Sequence, residues 1–203
     1  MTIDELFELT DVIPVVVLDD AEQAVPLARE LVAAGTPAIE ITLRTPAALD
    51  AIERIAAEVP DARVGAGTVI SPTQGRAALA AGAQFLVSPG ATPALLDGLA
   101  GAPLLPGAAT ASEVMALLER GITKAKFFPA EASGGVGALR ALAGPFPQMR
   151  FCPTGGITAA SAPDYLALPN VACVGGSWMI PRPADSARTP QAANAATSAG
   201  ATP

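Results

Sequence analysis

Two short runs hold the side chains best suited to proton transfer and nucleophilic attack: IEITLRT, with Glu40 and Arg44, and KAKFFPA, with Lys124 and Lys126. The 203 residues contain no histidine, which removes Ser-His-Asp and Cys-His catalysis and the commonest ligand for transition metals. Acid-base work then falls to carboxylates, to the two lysines or to the single tyrosine, Tyr165. If both runs are strands, alternate side chains share a face. Ile39, Ile41 and Leu43 then pack one way, while Glu40, Thr42 and Arg44 point the other way into the interior. A glutamate there is costly unless paired or used, so Glu40 is either a catalytic acid-base group or half of an ion pair with Arg44 as the obvious partner.

In the second run Lys124, Lys126 and Phe128 share a face. Lys126 is the deeper lysine, whereas Lys124 starts the run and should reach water at the opposite mouth. A lysine shielded from water gives up its proton more readily, and the free amine can form an imine with a carbonyl carbon. The alternative is that Lys126 serves only as a buried partner for Glu40. Two further runs, PTGGI and VGGSW, place double glycines late in the chain. Glycine lets backbone N–H groups approach an oxyanion closely, and the Ser177 hydroxyl adds a donor, so Gly155, Gly156 and Ser177 are candidates for a phosphate site.

These groups need a scaffold, and the chain supplies a repeated one. Short Val/Ile/Leu/Phe runs recur about every 20 to 25 residues, separated by segments of helical spacing closed by Gly or Pro. The spacing predicts eight strands: Ile13–Leu18, Ala38–Leu43, Arg63–Thr68, Phe85–Pro89, Pro103–Pro106, Lys124–Pro129, Arg150–Pro153 and Val171–Val174. Helices are expected at Ala21–Ala34, Pro46–Val59, Pro72–Ala81, Pro93–Leu99, Ala111–Arg120, Val136–Leu142 and Ala159–Leu166. Thr45-Pro46, Ser71-Pro72 and Thr92-Pro93 read as an N-cap followed by proline at the first helical position. Alternating β and α elements imply an α/β fold with a parallel sheet, and eight regular units favour a (β/α)8 TIM barrel in a single domain. In such a barrel the late strands end at a phosphate site. An open dinucleotide-binding sheet would carry a Gly-rich turn after its first strand, but VVVLDDAEQA has no glycine there, and Gly65-x-Gly67 lacks the rest of that fingerprint.

Composition sets the outer bounds. A 51% hydrophobic, 15% charged chain can bury a sizeable core. Its longest apolar stretch is the seven residues Val12 to Leu18, far short of the ~20 that cross a bilayer, and the acidic start reads as no signal peptide. A net charge of -7 with 4% aromatics argues against nucleic acid as a partner. Cys152 and Cys173 form no disulfide framework or zinc pattern; they read as small core residues in a cytoplasmic protein. From Arg182 to Pro203 the chain has no hydrophobic residue other than alanine. The expected organisation is therefore a barrel over 1–181 and a mobile Ala/Pro-rich tail over 182–203.

Taken together, IEITLRT, VGAGT ending at Thr68, SPG with Pro89, KFFPAE, FCPTGGI and VGGSW resemble the 2-keto-3-deoxy-6-phosphogluconate (KDPG) aldolase family, whose members often also act on 4-hydroxy-2-oxoglutarate (KHG). The resemblance runs in order from about Ile13 to Trp178, and KFFPAE and FCPTGGI are its most specific parts. It implies a class I aldolase without metal or other cofactor, cleaving 2-keto-4-hydroxy acids to pyruvate and an aldehyde. By the same resemblance Lys126 is the Schiff-base lysine and Glu40 the acid-base group. Arg44 and Thr68 would hold the pyruvate carboxylate, Pro89 would line the pyruvate pocket, and Phe128 would pack against it. Thr154 would line the same pocket, Gly155, Gly156 and Ser177 would contact phosphate, and the assembly would be a homotrimer. Alternatives are a phosphate-binding isomerase or epimerase with Glu40 as its base, and a catalytically silent assembly subunit.

Overall fold

The computed structural model describes residues 1–180, so the expected tail at 182–203 lies outside the described residues. The chain opens with an element that the strand and helix spacing did not predict, α1 (Ile3–Leu9). Thr2 Oγ1 accepts from the Glu5 N–H and the Glu5 carboxylate accepts from the Thr2 N–H, a reciprocal capping box. The Thr-x-x-Glu signal of that box is present in the sequence.

The parallel strands follow as β1 (Val12–Val16), β2 (Ala38–Thr42), β3 (Arg63–Gly67), β4 (Leu86–Val87), β5 (Leu104–Leu105), β6 (Gly107–Ala108), β7 (Lys124–Phe127), β8 (Arg150–Pro153) and β9 (Val174–Gly176). They alternate with α2 (Ala24–Ala33), α3 (Ala48–Glu58), α4 (Pro72–Ala80), α5 (Pro93–Gly98), α6 (Ala111–Leu118), α7 (Gly135–Ala143) and α8 (Ala162–Leu166). All eight expected strand positions are occupied, with two changes. The fifth is split into β5 and β6 on either side of Pro106, which has no N–H to give a ladder. The eighth lies later than Val171–Val174: Val171 makes only an isolated bridge to Phe151, and regular pairing begins at Val174.

Two of the three expected caps form, with Ser71 Oγ accepting from Gln74 N–H and Thr92 Oγ1 from Leu95 N–H. Thr45 does not cap α3. Its hydroxyl donates to the Leu18 carbonyl instead, tying the β2 exit to the β1 exit, and the helix starts at Ala48.

Pairing gives a six-stranded sheet in the order β5-β4-β3-β2-β1-β9 and a three-stranded sheet β6-β7-β8. The result is an α/β fold with a curled parallel sheet. Bridges Phe151↔Val171 and Thr154↔Gly175 connect the two sheets on one side, and the continuous backbone through Pro106 connects them on the other. Outward residues such as Ile39, Ile41, Val64 and Leu86 join one helix-facing cluster, while Ala125, Phe127, Phe151 and Val174 join another. A third cluster sits inside the curl and draws on strands of both sheets: Ile13, Ala38, Val87, Leu105 and Cys152, together with Phe85 just before β4 and Cys173 just before β9.

Helix α1 closes the N-terminal end of this interior by inserting Leu6, which is fully buried among those residues. Burying a leucine of this kind is worth about 1.5–3 kcal/mol. Asp4 on the same helix meets Lys124 at 2.5 Å. Lys124 therefore lies at the expected mouth, but it ends in an ion pair with α1 and not in open water.

Candidate active site

Lys126 on β7 and Glu40 on β2 come from different sheets and meet inside the curl, with Nζ donating to Oε1 at 3.3 Å. Their side chains are 5% and 4% exposed. Such a pair is held only where the two charges satisfy each other, because each ion loses several kcal/mol of hydration on burial. The Phe128 ring adds a face to the ammonium, its centroid 5.2 Å from Nζ. Removing one partner would strand the other as a buried, uncompensated charge.

Space for the pair comes from glycine. An added Cβ at Gly67 on β3 would sit 2.0 Å from Glu40 Oε1 and 2.6 Å from its Cδ and Cγ. On β6, a Cβ at Gly107 would lie 2.3 Å from the Pro89 carbonyl, and on β9 one at Gly175 would lie 2.3 Å from Thr154 Oγ1. These three inward glycines leave room for the Glu40 carboxylate, the Pro89 backbone and the Thr154 hydroxyl. From the sequence Gly175 stands out only as part of the VGGSW double glycine, and Gly107 not at all. The available signal is the glycine inside a strand, which commonly marks close approach of another group, whereas Gly65-x-Gly67 reads from sequence only as an incomplete nucleotide fingerprint. Ser88, also missed, is buried and donates to the Gly90 carbonyl at 2.6 Å, fixing the turn that carries Pro89.

Arg44 corrects one expectation. Regular strand ends at Thr42, so alternation does not carry Arg44 inward; it is exposed and makes no ion pair with Glu40. Its Nε donates to Thr68 Oγ1 at 3.0 Å. Thr68 is the one non-glycine among the described residues with positive φ, at 58°, a conformation disfavoured for a β-branched side chain. With its oxygen accepting from Arg44, the Thr68 hydroxyl donates to no acceptor among the described residues, and among them the outer N–H groups of the guanidinium are free as well. Together they form a donor set suited to a carboxylate.

At the next strand ends, Thr154 is buried at the close of β8 and pairs across to Gly175. Gly155 and Gly156 follow with φ of 104° and 82°, a conformation open to glycine at little cost. Among the described residues neither of their N–H groups is used by a backbone or side-chain acceptor. Gly155 lies beside the Phe128 ring, and Ser177 is exposed just past β9. The structure thus gathers Lys126, Glu40, Phe128, Thr154, Gly155, Gly156 and Ser177 at strands β7, β8, β9 and facing β2. Arg44, Thr68 and Pro89 lie at the same strand ends on β2, β3 and β4.

Cys152 and Cys173 lie in the interior cluster below this site. A hydrogen bond that the Cys173 thiol donates to Cys152, together with burial, pushes that thiol well above its ordinary value, as befits core residues. Among the described residues no three His, Cys, Asp or Glu side chains converge as a set of metal ligands. No described helix is long and apolar enough to cross a membrane.

An arrangement of a buried amine, a carboxylate in contact with it and anion donors at both sides suits covalent chemistry on a keto acid. The sequence profile for KDPG and KHG aldolase matches residues 3–194. The KHG/KDPG aldolase of Escherichia coli K12 is 55% identical over 172 residues, 84% of this chain and 81% of that one. The crystal structure of 2-keto-3-deoxy-6-phosphogluconate aldolase from Zymomonas mobilis ATCC 29191 superposes with a TM-score of 0.87 at 50% identity, covering 90% of this chain and 89% of the other. KDPG aldolase from Legionella pneumophila, solved with pyruvate captured as a covalent carbinolamine intermediate, gives 0.86 at 49% identity over 90% and 89% of the two chains. With matches of this depth along nearly the whole described chain, the protein belongs to the KDPG and KHG aldolase family.

Proposed function

We propose that this protein is a class I aldolase, a carbon-carbon lyase that cleaves KDPG to pyruvate and glyceraldehyde 3-phosphate, and KHG to pyruvate and glyoxylate. The observation that carries this is the buried Lys126–Glu40 contact. Family membership supports it, as does the carbinolamine seen in the Legionella relative.

The reaction starts when Glu40 takes the Lys126 proton and the free amine attacks the C2 carbonyl of the keto acid. Glu40 returns protons as the carbinolamine loses water, leaving a protonated imine. Glu40, directly or through a water, removes the proton of the C4 hydroxyl. The C3–C4 bond then breaks, its electron pair moves into the imine to give an enamine, and the aldehyde departs. Protonation of the enamine at C3 and hydrolysis release pyruvate and restore the amine. Arg44 and Thr68 hold the carboxylate, Pro89 and Phe128 enclose the methyl end, and Thr154 lines the same pocket. Gly155, Gly156 and Ser177 take the distal phosphate.

We also propose that the curled sheet is a closed (β/α)8 barrel. Supporting this are the interior cluster shared by both sheets and the bridges between β8 and β9. Residues 1–181 would form the catalytic domain, since every assigned residue lies at or before Ser177, and 182–203 would supply none of the chemistry. A homotrimer in the cytoplasm accords with the family resemblance and with two free buried thiols.

The phosphate assignment is checked by Ser177→Ala. KM for KDPG should rise about 3- to 10-fold, as for loss of one hydrogen bond, while constants for KHG, which has no phosphate, should stay near wild type. Equal losses on both substrates would remove Ser177 from a phosphate site.

A further inference from the structure

The reaction above gives no role to Glu131 or Tyr165, yet a short hydrogen bond joins them, with the Tyr165 hydroxyl donating to Glu131 Oε1 at 2.6 Å. Tyr165 is 1% exposed and sits on α8, the helix that follows the Gly155–Gly156 loop. Glu131 is exposed and follows the lysine-bearing strand β7. Between these two loops the backbone is laced directly, with the Ala130 N–H donating to the Thr154 carbonyl at 2.8 Å and the Glu131 N–H to the Gly155 carbonyl at 3.1 Å. The stem of Glu131 also lies over Gly156, where an added Cβ would meet its Cγ at 2.6 Å and its Cβ at 2.8 Å. Gly135 completes the arrangement: its N–H donates to the Ala130 carbonyl at 2.9 Å. A Cβ there would come within 3.1 Å of the Tyr165 hydroxyl.

Gly155 and Gly156 have no side chains with which to fix their own conformation, and glycine explores backbone space widely. Their two positive-φ conformations are held by Glu131 from one side, and Glu131 is held in turn by Tyr165. Burial and the Glu131 carboxylate together push the Tyr165 hydroxyl well above its ordinary value. It therefore stays a donor throughout the neutral range. The bond also fixes one oxygen of a carboxylate beside a loop meant for an anion, where a mobile negative charge would compete with the ligand.

We infer that Tyr165 and Glu131 are a positioning pair that holds the Gly155–Gly156 loop ready for phosphate, and so sets the preference for phosphorylated over non-phosphorylated keto acids without touching bond cleavage. This rests on the phosphate site proposed above.

Tyr165→Phe keeps the ring that packs with the apolar cluster around Leu139, Phe151 and Val174 and deletes only the donor. Its KM for KDPG should rise about 5- to 20-fold, at or below the lower end of the scale for a lost hydrogen bond to a charged group, because the loop keeps its backbone contacts. Its kcat for KDPG, and both constants for KHG, should stay within about twofold. Glu131→Ala, at an exposed position that tolerates truncation, should show the same selective defect, and it serves if Tyr165→Phe folds poorly. Glu131→Gln retains an acceptor oxygen and should restore KM for KDPG to within about twofold of wild type. The double variant Tyr165→Phe/Glu131→Ala should be no worse than either single one, as for two halves of one interaction. Parallel losses on both substrates, or an unchanged KM for KDPG in both single variants, would overturn the proposal. Ser177→Ala measured alongside separates the two claims. A selective defect there with none in Tyr165→Phe and Glu131→Ala leaves the phosphate site and removes the brace. The reverse pattern supports the brace and removes Ser177, and no selective defect anywhere overturns both.

Discussion

Lys126→Arg is expected to lower aldol cleavage by about 10⁴-fold or more, because the step it removes is formation of the covalent imine itself. Arginine is the informative replacement. It keeps a positive charge against Glu40, whose side chain is 4% exposed and would otherwise be left buried and unpaired at a cost of about 3–5 kcal/mol. A guanidinium stays protonated and is a poor nucleophile, so charge is preserved while reactivity is lost. The larger head costs about 1–3 kcal/mol of packing strain, and circular dichroism and melting temperature report whether the fold survives. Lys126→Met, which has no amine and a similar length, should give the same kinetic result. Retention of even a tenth of wild-type turnover in either variant would contradict the assignment of Lys126.

Gly67→Ala should reduce kcat by about 10²- to 10⁴-fold, the range for losing a positioned acid-base group. The single methyl would occupy the space of the Glu40 carboxylate, meeting Oε1, Cδ and Cγ at once. Glu40 has little freedom to retreat, because β2 is buried along its whole length. The carboxylate must turn away, and its contact with Lys126 goes with it. Kinetics should therefore resemble those of Glu40→Gln, with the double variant little worse than either single one. Stopped-flow measurement of pyruvate release checks this. Near-wild-type kcat for Gly67→Ala would show that Glu40 can act from another rotamer, and the proton route drawn here would then be wrong.

Much of the fold was legible because its signals are local. Strand alternation alone separated Ile39 and Ile41 from Glu40, and Lys126 from Ala125 and Phe127, and both divisions match the observed clusters. Ser71-Pro72 and Thr92-Pro93 marked helix starts through short-range hydrogen bonds. What escaped depends on contacts between distant segments. Thr45 has the sequence of a cap, but the Leu18 carbonyl claims its hydroxyl across 27 residues. Arg44 reads as inward only if the strand is extended past Thr42; the acceptor that holds its Nε, Thr68, sits 24 residues away. The inward glycines at 67, 107 and 175 carry no side chain to show by type what they accommodate, and their purpose appears only against Glu40, Pro89 and Thr154. Helix α1 was missed for a simpler reason: its Thr-x-x-Glu box is local, but its burial depends on Leu6 reaching an interior built from strands far along the chain.

The two lysines also make the central claim directly testable. Incubation of the wild-type protein with pyruvate and borohydride should reduce an imine to a stable secondary amine, and the lysines and the N-terminal amine are the groups able to carry it. Lys124 is held in an ion pair with Asp4 at the N-terminal end of the interior, on the far side from the strand ends where the carboxylate and phosphate donors gather. Peptide mapping by mass spectrometry should place the label on Lys126 alone, at close to one adduct per chain. A label on Lys124, or steady turnover with no label at all, would contradict the account.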